Sequence, residues 1–532
     1  MDSHNVFVRV KNIVLPALLL SAVTGALTGV LVYAFKQAAG FLMDKAFEVY
    51  TFATANPGYI PLLLLGLLVL AMGAFGLTTW CPNARGGGIP SAVGVLRGIL
   101  RFDWFKTLVA TVTAALLSFA AGLPLGNEGP SVQVGTALGR GITRLSGPSH
   151  RAWDRYLMTG GASAGFAVAA AAPITGLFFA LEEAHRRFSP MILMSGLASV
   201  FSATATMQAL TACFGGSAVF IHMDTPRVLG LPDLWLPLVL GLVAGGAAAL
   251  YSLAFRHMDG LLKNTVGHWP RPVKIAAVFL LCGLAGLLNP HVVGSGHLVI
   301  EHIFEQNLLW HILLVTLLLR AALMLLASKT GITGGIFIPK LTIGALIGAL
   351  CANALSALGM DNGYYLAIVV LCIAAFMGAA SHTPITALVF AAEALCGLSN
   401  MLYIGLAVFV AYAVMELLDV DAVNDEVLHR RIAELHHGKS HCTKEARITV
   451  QPDAFAVGKT LSDLFFPNSC LILSVKKGER TSMASGGSRG LFVGDELHIH
   501  FDVYEGEQEE MDAAFCALFG EQKIHSIPVD NR

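Results

Sequence analysis

Charge is scarce in this 532-residue chain. Only 13% of the residues are Lys, Arg, Asp or Glu, and the formal net charge is −1, so no basic surface for nucleic acid is expected. Cysteine is also sparse, and the nine residues include no C-x-x-C pair, which argues against a disulfide framework or a metal site. No small-residue cleavage site follows the first apolar run, so we interpret the N-terminus as retained rather than as a signal peptide.

Apolar residues are abundant instead. They make up 55% of the chain, and the mean hydropathy is +0.68, which is typical of an integral membrane protein. Windows long enough to cross a bilayer begin at Ile13 and recur at 60–79, 105–121, 157–181, 234–255, 308–327, 364–380 and 401–417. Glycine and proline interrupt several further apolar segments. The sequence therefore predicts an all-α, polytopic protein of the lipid bilayer with interrupted helices, whose breaks are covered by protein or by a water-filled cavity because lipid cannot pair open backbone groups.

The position of positive charge predicts the orientation. Arg9 and Lys11 precede the first span, which favours a cytoplasmic N-terminus. We expect a multi-pass protein of a bacterial inner membrane with both termini in the cytoplasm.

A change of composition near residue 430 predicts two domains, a membrane domain at 1–435 and a cytosolic domain at 436–532. Charged residues make up about a quarter of the positions after 440 and about a tenth before. The tail alternates as short strands around one helix, and "EEMDAAFCALFG" closes it as an amphipathic helix. Its "GKTLSDL", "ILSVKKG" and "GDEL" segments resemble the TrkA-C subdomain of potassium-uptake regulators. That resemblance implies dimerisation and a small regulatory ligand; a cap that binds no ligand is the alternative.

The membrane part contains a repeat. "GNEGPSVQVGTALG" and "GIFIPKLTIGALIG" share one frame, in which Pro339 lies 209 residues after Pro130. "APITGLFFALEE" and "TPITALVFAAEA" share another, with Glu182 and Glu393 each nine residues after the proline. Corresponding Gly/Pro-interrupted segments in two halves are typical of a transporter's binding site.

A proline after a glycine loop is typical of the first turn of a helix. Helices that begin inside the membrane present unpaired N–H groups and positive dipole ends, which together bind an anion. "NARGGGIPSAVGVLRG" adds a third such loop. We therefore expect a small anion as substrate, with Glu128 at the mouth of one helix as both gate and proton carrier. The alternative for Glu128 is a carboxylate that only stabilises its helix start.

These motifs resemble the CLC family of chloride channels and proton-coupled chloride transporters over about residues 10–430. The family's motifs GSGIP, G[K/R]EGP and GxFxP occur in order as "GGGIP", "GNEGP" and "GIFIP". The resemblance implies that Glu128 is the external gating glutamate and that chloride and protons are the transported ions, with no cofactor and no enzyme activity. It implies a homodimer. The implied anion-binding positions are Gly87, Gly88, Ile89, Gly126, Asn127, Gly129, Ile336, Phe337 and Asn424.

Glu183 occupies the position of the family's internal proton-transfer glutamate, which favours antiport over a plain channel. The alternative is a solvated helix-end pair in which Arg186 and Arg187 answer Glu182 and Glu183. Two departures favour looser coupling, and an uncoupled channel is the alternative function: Gly87 replaces the pore serine, and Asn424 replaces the pore tyrosine.

Lys340 directly follows Pro339. It either raises the local anion concentration by its field or snorkels or pairs with an acid. Fluoride-exporting members of the family that the chain resembles tend to carry an acid in the GxFxP region. "GGIFIP" has none, so the resemblance implies that fluoride is the less favoured anion.

Two other classes of function are weaker. "GASAG" around Ser163 has the spacing of a hydrolase nucleophile elbow, but it lies in an Ala/Gly-rich apolar run. A potassium or other cation pathway is disfavoured, because the sequence contains no TVGYG-like selectivity filter.

Overall fold

The computed structural model describes residues 15–147, 152–217, 219–221, 223–306, 308–436, 438–467, 470–478, 480–483 and 490–528. Arg9 and Lys11, on which the predicted orientation depends, lie outside these ranges. Eight helices in the described residues are long and apolar enough to cross a membrane. This agrees with the predicted all-α membrane fold.

The membrane part is built from two series of helices. Helices α1 to α8 are Leu15–Ala55, Ile60–Trp80, Ile89–Leu96, Trp104–Ala120, Glu128–Leu145, Asp154–Ala170, Pro173–Phe179 and Pro190–Phe214. Helices α9 to α17 are Trp235–Val266, Arg271–Leu288, His297–Phe304, Trp310–Thr330, Phe337–Ala357, Tyr365–Ser381, Pro384–Phe390, Met401–Leu417 and Val423–His436. The long and short helices of α1–α8 recur in the same order in α9–α16, as the sequence repeat predicts.

One predicted span is wrong. The window 157–181 is not a single helix, because α6 ends at Ala170 and Ala171 takes a left-handed conformation with φ 50°. Pro173 then begins α7, since proline supplies no N–H to the preceding turn. A π-helical turn, Ala180–Ala184, continues α7 and carries Glu183. The windows also omitted three helices that are long and apolar enough to span, namely α8, α10 and α13.

Small residues let the helices around the centre pack backbone to backbone. A Cβ added at Gly135 of α5 would lie 1.9 Å from the Gly161 carbonyl oxygen of α6, and one at Gly161 would lie 2.0 Å from the Gly135 oxygen. "GASAG" is therefore a helix-packing segment. Ser163 is buried within α6, not on the strand-to-helix turn that a nucleophile elbow needs, so the hydrolase hypothesis is wrong on geometry.

The tail forms a five-stranded antiparallel sheet with strand order β3-β2-β4-β1-β5. Its elements are β1 His441–Thr449, β2 Cys470–Lys477, β3 Arg480–Met483, β4 Glu496–Tyr504, α18 Gln508–Phe519 and β5 Ser526–Pro528. The closing helix α18 is as expected. The helix expected between the first two strands is only a 3₁₀ turn, Leu461–Asp463, because the chain turns extended again at Leu464.

The tail packs against the membrane part through the segment that follows this turn. Arg155 donates to the Phe466 carbonyl oxygen at 2.6 Å, and the Tyr156 hydroxyl donates to the Asp463 carbonyl oxygen. Arg187 donates to the Leu464 carbonyl oxygen at 3.3 Å and lies over the Phe465 ring at 4.5 Å. The contact made by Arg187 therefore lies four positions after Glu183 along the chain.

Candidate functional site

Three glycine loops meet at the centre of the membrane part. Gly126 and Gly335 exchange backbone hydrogen bonds of 2.7 and 2.6 Å. A Cβ at Gly129 would lie 1.8 Å from the Gly87 carbonyl oxygen, and one at Gly88 would lie 2.3 Å from the Gly129 oxygen. Only glycine permits such close contact between backbones. The starts of α3, α5 and α13 are thereby brought together, as the motifs predict.

Each of these helices begins with unpaired amides. The first intrahelical bonds are donated by Ala92 to Gly88 in α3, by Ser131 to Asn127 in α5 and by Lys340 to Ile336 in α13. N–H groups ahead of these bonds have no partner within their own helix, and an α-helix directs such groups outwards from its N-terminal end along its axis. These groups belong to Ile89, Glu128, Gly129, Ile336, Phe337 and Ile338. The arrangement suits an anion.

Glu128 is the first residue of α5 and is fully buried. Its Oε2 atom lies only 2.5 Å from where a Cβ on Gly126 would stand, beside Ile338 and Pro339 of α13. The carboxylate lies near the N–H groups of Glu128 and Ile338, and neither of its oxygens completes a hydrogen bond of full geometric quality among the described residues. The acid therefore lies in the gap between two helix starts.

Aromatic rings wall this gap. Phe337 is 5% exposed and meets Phe166 edge-on at 4.9 Å and Phe390 at 5.3 Å between ring centroids. Such a dry wall strengthens the electrostatic interactions at the helix starts. Phe337 thus has two features, a backbone N–H at the centre and a ring that excludes water.

The second predicted acid lies apart from the first. The Glu183 carboxylate accepts a 2.6 Å hydrogen bond from Asn424 Nδ2, and its backbone oxygen accepts one of 2.8 Å from Arg97. Glu183 and Asn424 line a cavity of about 10 Å³, room for about one water, together with Pro90 of α3 and Ser381. Asn424, expected at the anion, is thus a partner of the inner acid, and its Oδ1 atom has no partner among the described residues.

The alternative for the Glu182–Glu183 pair is wrong. Arg186 pairs with Asp425 at 2.5 Å, and Arg187 contacts the tail, so neither arginine answers the glutamates. Glu182 instead accepts hydrogen bonds from Ile385 N–H and Thr386 N–H, at 2.9 and 2.6 Å, at the start of α15.

Glu393 makes the same contacts in the other direction. It accepts hydrogen bonds from Ile174 N–H and Thr175 N–H, at 2.9 and 2.8 Å, at the start of α7. Each half therefore caps a helix of the other half, as expected of two units related by a two-fold axis. The sequence repeat located this pair without revealing the exchange.

Lys340 does not snorkel. It is 1% exposed, and its Nζ atom donates to Ser381 Oγ at 2.9 Å and to the Ala380 carbonyl oxygen at 3.3 Å. No acid lies within ion-pair distance of it among the described residues. Sequence reasoning missed Ser381, whose hydroxyl connects Lys340 to the cavity beside Glu183. An intramembrane serine three residues before a proline carries no signal strong enough to single it out.

Gly87 has room for a larger residue. An added Cβ would have its nearest neighbours at 3.6 Å, the Gly334 oxygen, and 3.9 Å, Pro90 Cδ, which are ordinary contacts. Packing does not require the loss of a hydroxyl here, in contrast to Gly88 and Gly129. The missing serine is therefore a chemical difference and not a steric one.

Broken helices that point unpaired amides and a buried acid at one centre define a membrane transport protein for small anions. Residues 69–416 match the family model described as voltage gated chloride channel, and the chain belongs to this family. Its members are transport proteins and not enzymes. The CLC resemblance is thus confirmed, whereas the TrkA-C resemblance of the tail stays a prediction.

Relatives in two organisms have similar sequences. The H(+)/Cl(-) exchange transporter ClcA of Yersinia pestis bv. Antiqua (strain Angola) is 29% identical over 391 residues, which are 71% of this chain and 79% of the relative. The protein of the same name from Salmonella paratyphi B (strain ATCC BAA-1250 / SPB7) is 29% identical over 387 residues, 71% of this chain and 81% of the relative.

Solved structures share the fold. A slow cyanobacterial Cl-/H+ antiporter has a TM-score of 0.71 at 24% identity and covers 79% of this chain and 99% of its own. A CLC-type fluoride/proton antiporter has a TM-score of 0.61 at 22% identity, with 75% and 95% covered. Both likenesses support the architecture of the membrane part alone.

Proposed function

We propose that this protein exchanges chloride for protons across a membrane, with Glu128 as the external gate and proton carrier. The single observation that carries the proposal is the position of the Glu128 carboxylate, buried among the first amides of α5 and α13. An anion and a carboxylate have the same preference for these amides, so they compete for one place. Protonation of Glu128 releases it and admits the anion, which couples the two movements.

Glu183 supplies the inner step. It is held by Asn424 beside a one-water cavity next to Pro90, close to the helix α3 that reaches the centre. Acids inside a membrane are costly and are kept for function. The ionisable side chain at this position supports antiport, in agreement with the printed names of the curated relatives.

A loosely coupled anion channel is the second candidate. Gly87 offers no hydroxyl, and the Asn424 amide is engaged with Glu183, so neither of the two side chains that the CLC resemblance places at a central anion is available to hold it there. Weak central occupancy lets anions pass without a proton.

The test is a paired flux measurement. Purified protein is reconstituted in liposomes with a chloride gradient, and chloride and proton movements are recorded together. We expect protons to move against their own gradient when chloride is driven through, with nitrate accepted and fluoride transported less well than chloride. Chloride flux with protons moving only down their gradient would establish the channel and overturn the antiport proposal.

Assembly, location and regulation are parts of the same proposal. The protein forms a homodimer in a bacterial inner membrane, with both termini in the cytoplasm and one pore in each subunit. The tail, 436–532, binds a small regulatory ligand. The contact of Arg187 with Leu464, directly after the 3₁₀ turn, supports a regulatory tail, because it joins the tail to the chain segment that carries Glu183.

A further inference from the structure

Strands β1 and β4 place three polar side chains together on one face of the tail's sheet. Glu445 lies directly opposite His500 in the antiparallel register. His498 is two residues from His500 on β4, so both imidazoles project from the same face. Ala446 and Ile499, the pair between them, belong to the core on the other face. The cluster therefore lies on the face of the sheet away from this core.

The donor atoms of the cluster converge. His500 Nε2 lies 3.0 Å from one Glu445 oxygen, and His498 Nε2 contacts the other. One ligand atom from each of the three residues lies within 4.8 Å of the other two. The two rings are nearly perpendicular, at 88°, with centroids 5.8 Å apart, so the nitrogens approach the carboxylate from different directions. Three donors at this spacing can close around one ion with bonds of about 2.0–2.2 Å.

We propose that Glu445, His498 and His500 form a binding site for a divalent transition metal, of which zinc is the best fit. Two imidazoles and one carboxylate are ligands that zinc accepts, and hard cations such as calcium and magnesium avoid a site dominated by nitrogen. Three protein ligands leave a fourth position for water or for an outside ligand. The side chains are 26–36% exposed, so an ion can enter without unfolding the sheet.

The surroundings set the strength of the site. Arg447 pairs with His498 on the same face, and its positive charge disfavours a bound cation. At the other end of the cluster, Asp502 pairs with Thr443 on the same face and accepts a 2.7 Å hydrogen bond from it, and its negative charge favours a cation. The charges nearly balance, so we expect affinity to come from the three ligands. Among the described residues this is the one group of three His, Cys, Asp or Glu side chains with donors this close. The cysteine spacing predicted no metal site, whereas the H-x-H pattern in "LHIH" is the sequence signal that marks this one.

The competing explanation is a cross-strand cluster in which Glu445 only accepts hydrogen bonds from two histidines. The variant Glu445→His distinguishes the two. A third imidazole keeps three metal ligands, as in known zinc sites with three histidines, but it destroys the acceptor that a hydrogen-bonded cluster needs.

The experiment uses the full-length protein in detergent, purified with a tag free of histidine and treated with a chelator. Zinc chloride is titrated by calorimetry, and Co²⁺ is added separately to record its visible absorption. We expect about one ion per chain with a rise in thermal midpoint. His498→Asn and His500→Asn should each weaken binding by about tenfold or more, and Glu445→His should retain it.

His441→Asn is the matched control, because this histidine lies on β1 outside the cluster. It should bind zinc as the unchanged protein does. Circular dichroism and the thermal midpoint without metal identify any variant that fails to fold. The proposal is overturned if the unchanged protein binds no zinc, if His498→Asn folds and binds it equally well, or if Glu445→His folds and loses it.

Discussion

The two halves of the membrane part differ most where the candidate site lies. Glu182 and Glu393 occupy equivalent positions 211 residues apart, and each caps a helix of the opposite half. Glu128 corresponds to Phe337 at an offset of 209, and Glu183 corresponds to Ala394 at an offset of 211. The shared acids cap helices across the two halves, whereas the proposed function assigns proton transfer to the acids present in one half only. The contrast gives a way to separate structural from functional carboxylates in a duplicated protein.

The loops before α3 and α11 are equivalent in the two halves, and they too differ in how they are held. Gly294–Gly296 is the counterpart of Gly86–Gly88, and it carries Ser295 where the first half carries Gly87. In the second half the buried Arg320 guanidinium donates to the carbonyl oxygens of Gly294 and Ser295, at 2.9 and 2.6 Å. That loop is thus held by a side chain on its own carbonyl oxygens, whereas the Gly86–Gly88 loop packs against the other two helix starts and Arg431 donates to the flanking residues Arg85 and Ser91.

The largest expected effect comes from Glu128→Gln. Removing the titratable group should reduce coupled proton movement by about a hundredfold, while chloride flux continues. The measurement is paired flux in liposomes. Glu393→Gln, at an acid that caps a helix of the other half, is the control that should keep coupling. Persistent uphill proton transport in Glu128→Gln would contradict the gate assignment.

Glu183→Gln should come next. Proton movement should fall by about tenfold or more, and chloride flux should remain, because glutamine keeps the size of the side chain and a partner for Asn424. Glu182→Gln, one residue away, should leave the ratio of chloride to protons unchanged. Equal losses of coupling in the two variants would erase the distinction between shared and unshared acids.

Glu182→Ala and Glu393→Ala should lower stability by similar amounts. Each removes an acceptor from two N–H groups at a helix start, which costs about 2 kcal/mol. Thermal midpoints in detergent test this, and the two values should agree because the contacts are the same. A loss in only one variant would show that the reciprocal caps do not carry equal weight.

Gly87→Ser should have a smaller and opposite effect. The position has room for the side chain, and a restored hydroxyl donor should strengthen chloride binding by about 1 kcal/mol, about fivefold. Calorimetric titration of chloride measures it. The control is Gly88→Ser, where the added Cβ would lie 2.3 Å from the Gly129 oxygen, so the protein should be destabilised instead. Unchanged affinity in a folded Gly87→Ser protein would remove this explanation for loose coupling.

Lys340→Met should have the smallest effect. Its charge lies buried next to the start of α13, so its loss should weaken chloride binding by about 1 kcal/mol or less, without changing proton coupling. Ser131, the equivalent residue in the other half, carries no charge, so Ser131→Ala serves as the control. Unaltered chloride affinity in Lys340→Met would assign the lysine to packing with Ser381.

Sequence reasoning was most reliable where a pattern constrains the backbone. The three Gly/Pro motifs predict helix starts that meet, because glycine and proline act locally on the chain. It failed where long-range contacts decide. Two of the missed features join residues distant in sequence, namely the contact of Glu182 with α15 and the hydrogen bond from Asn424 to Glu183. A third, the interruption at Ala171, depends on tertiary packing. Hydropathy counts apolar residues, so it does not detect a break that preserves them.

The attachment of the tail at Arg187 has a consequence for control of the pore. Three residues separate this anchor from Glu183, so the position of the tail's sheet and the state of the inner acid depend on one short piece of chain. Thermodynamic linkage is reciprocal. An effector on the tail that favours one protonation state of Glu183 is therefore bound more tightly when Glu183 is in that state. Under the proposed function, the pH of the cytoplasm and the effector's concentration would both act on transport through the segment from Glu183 to Arg187.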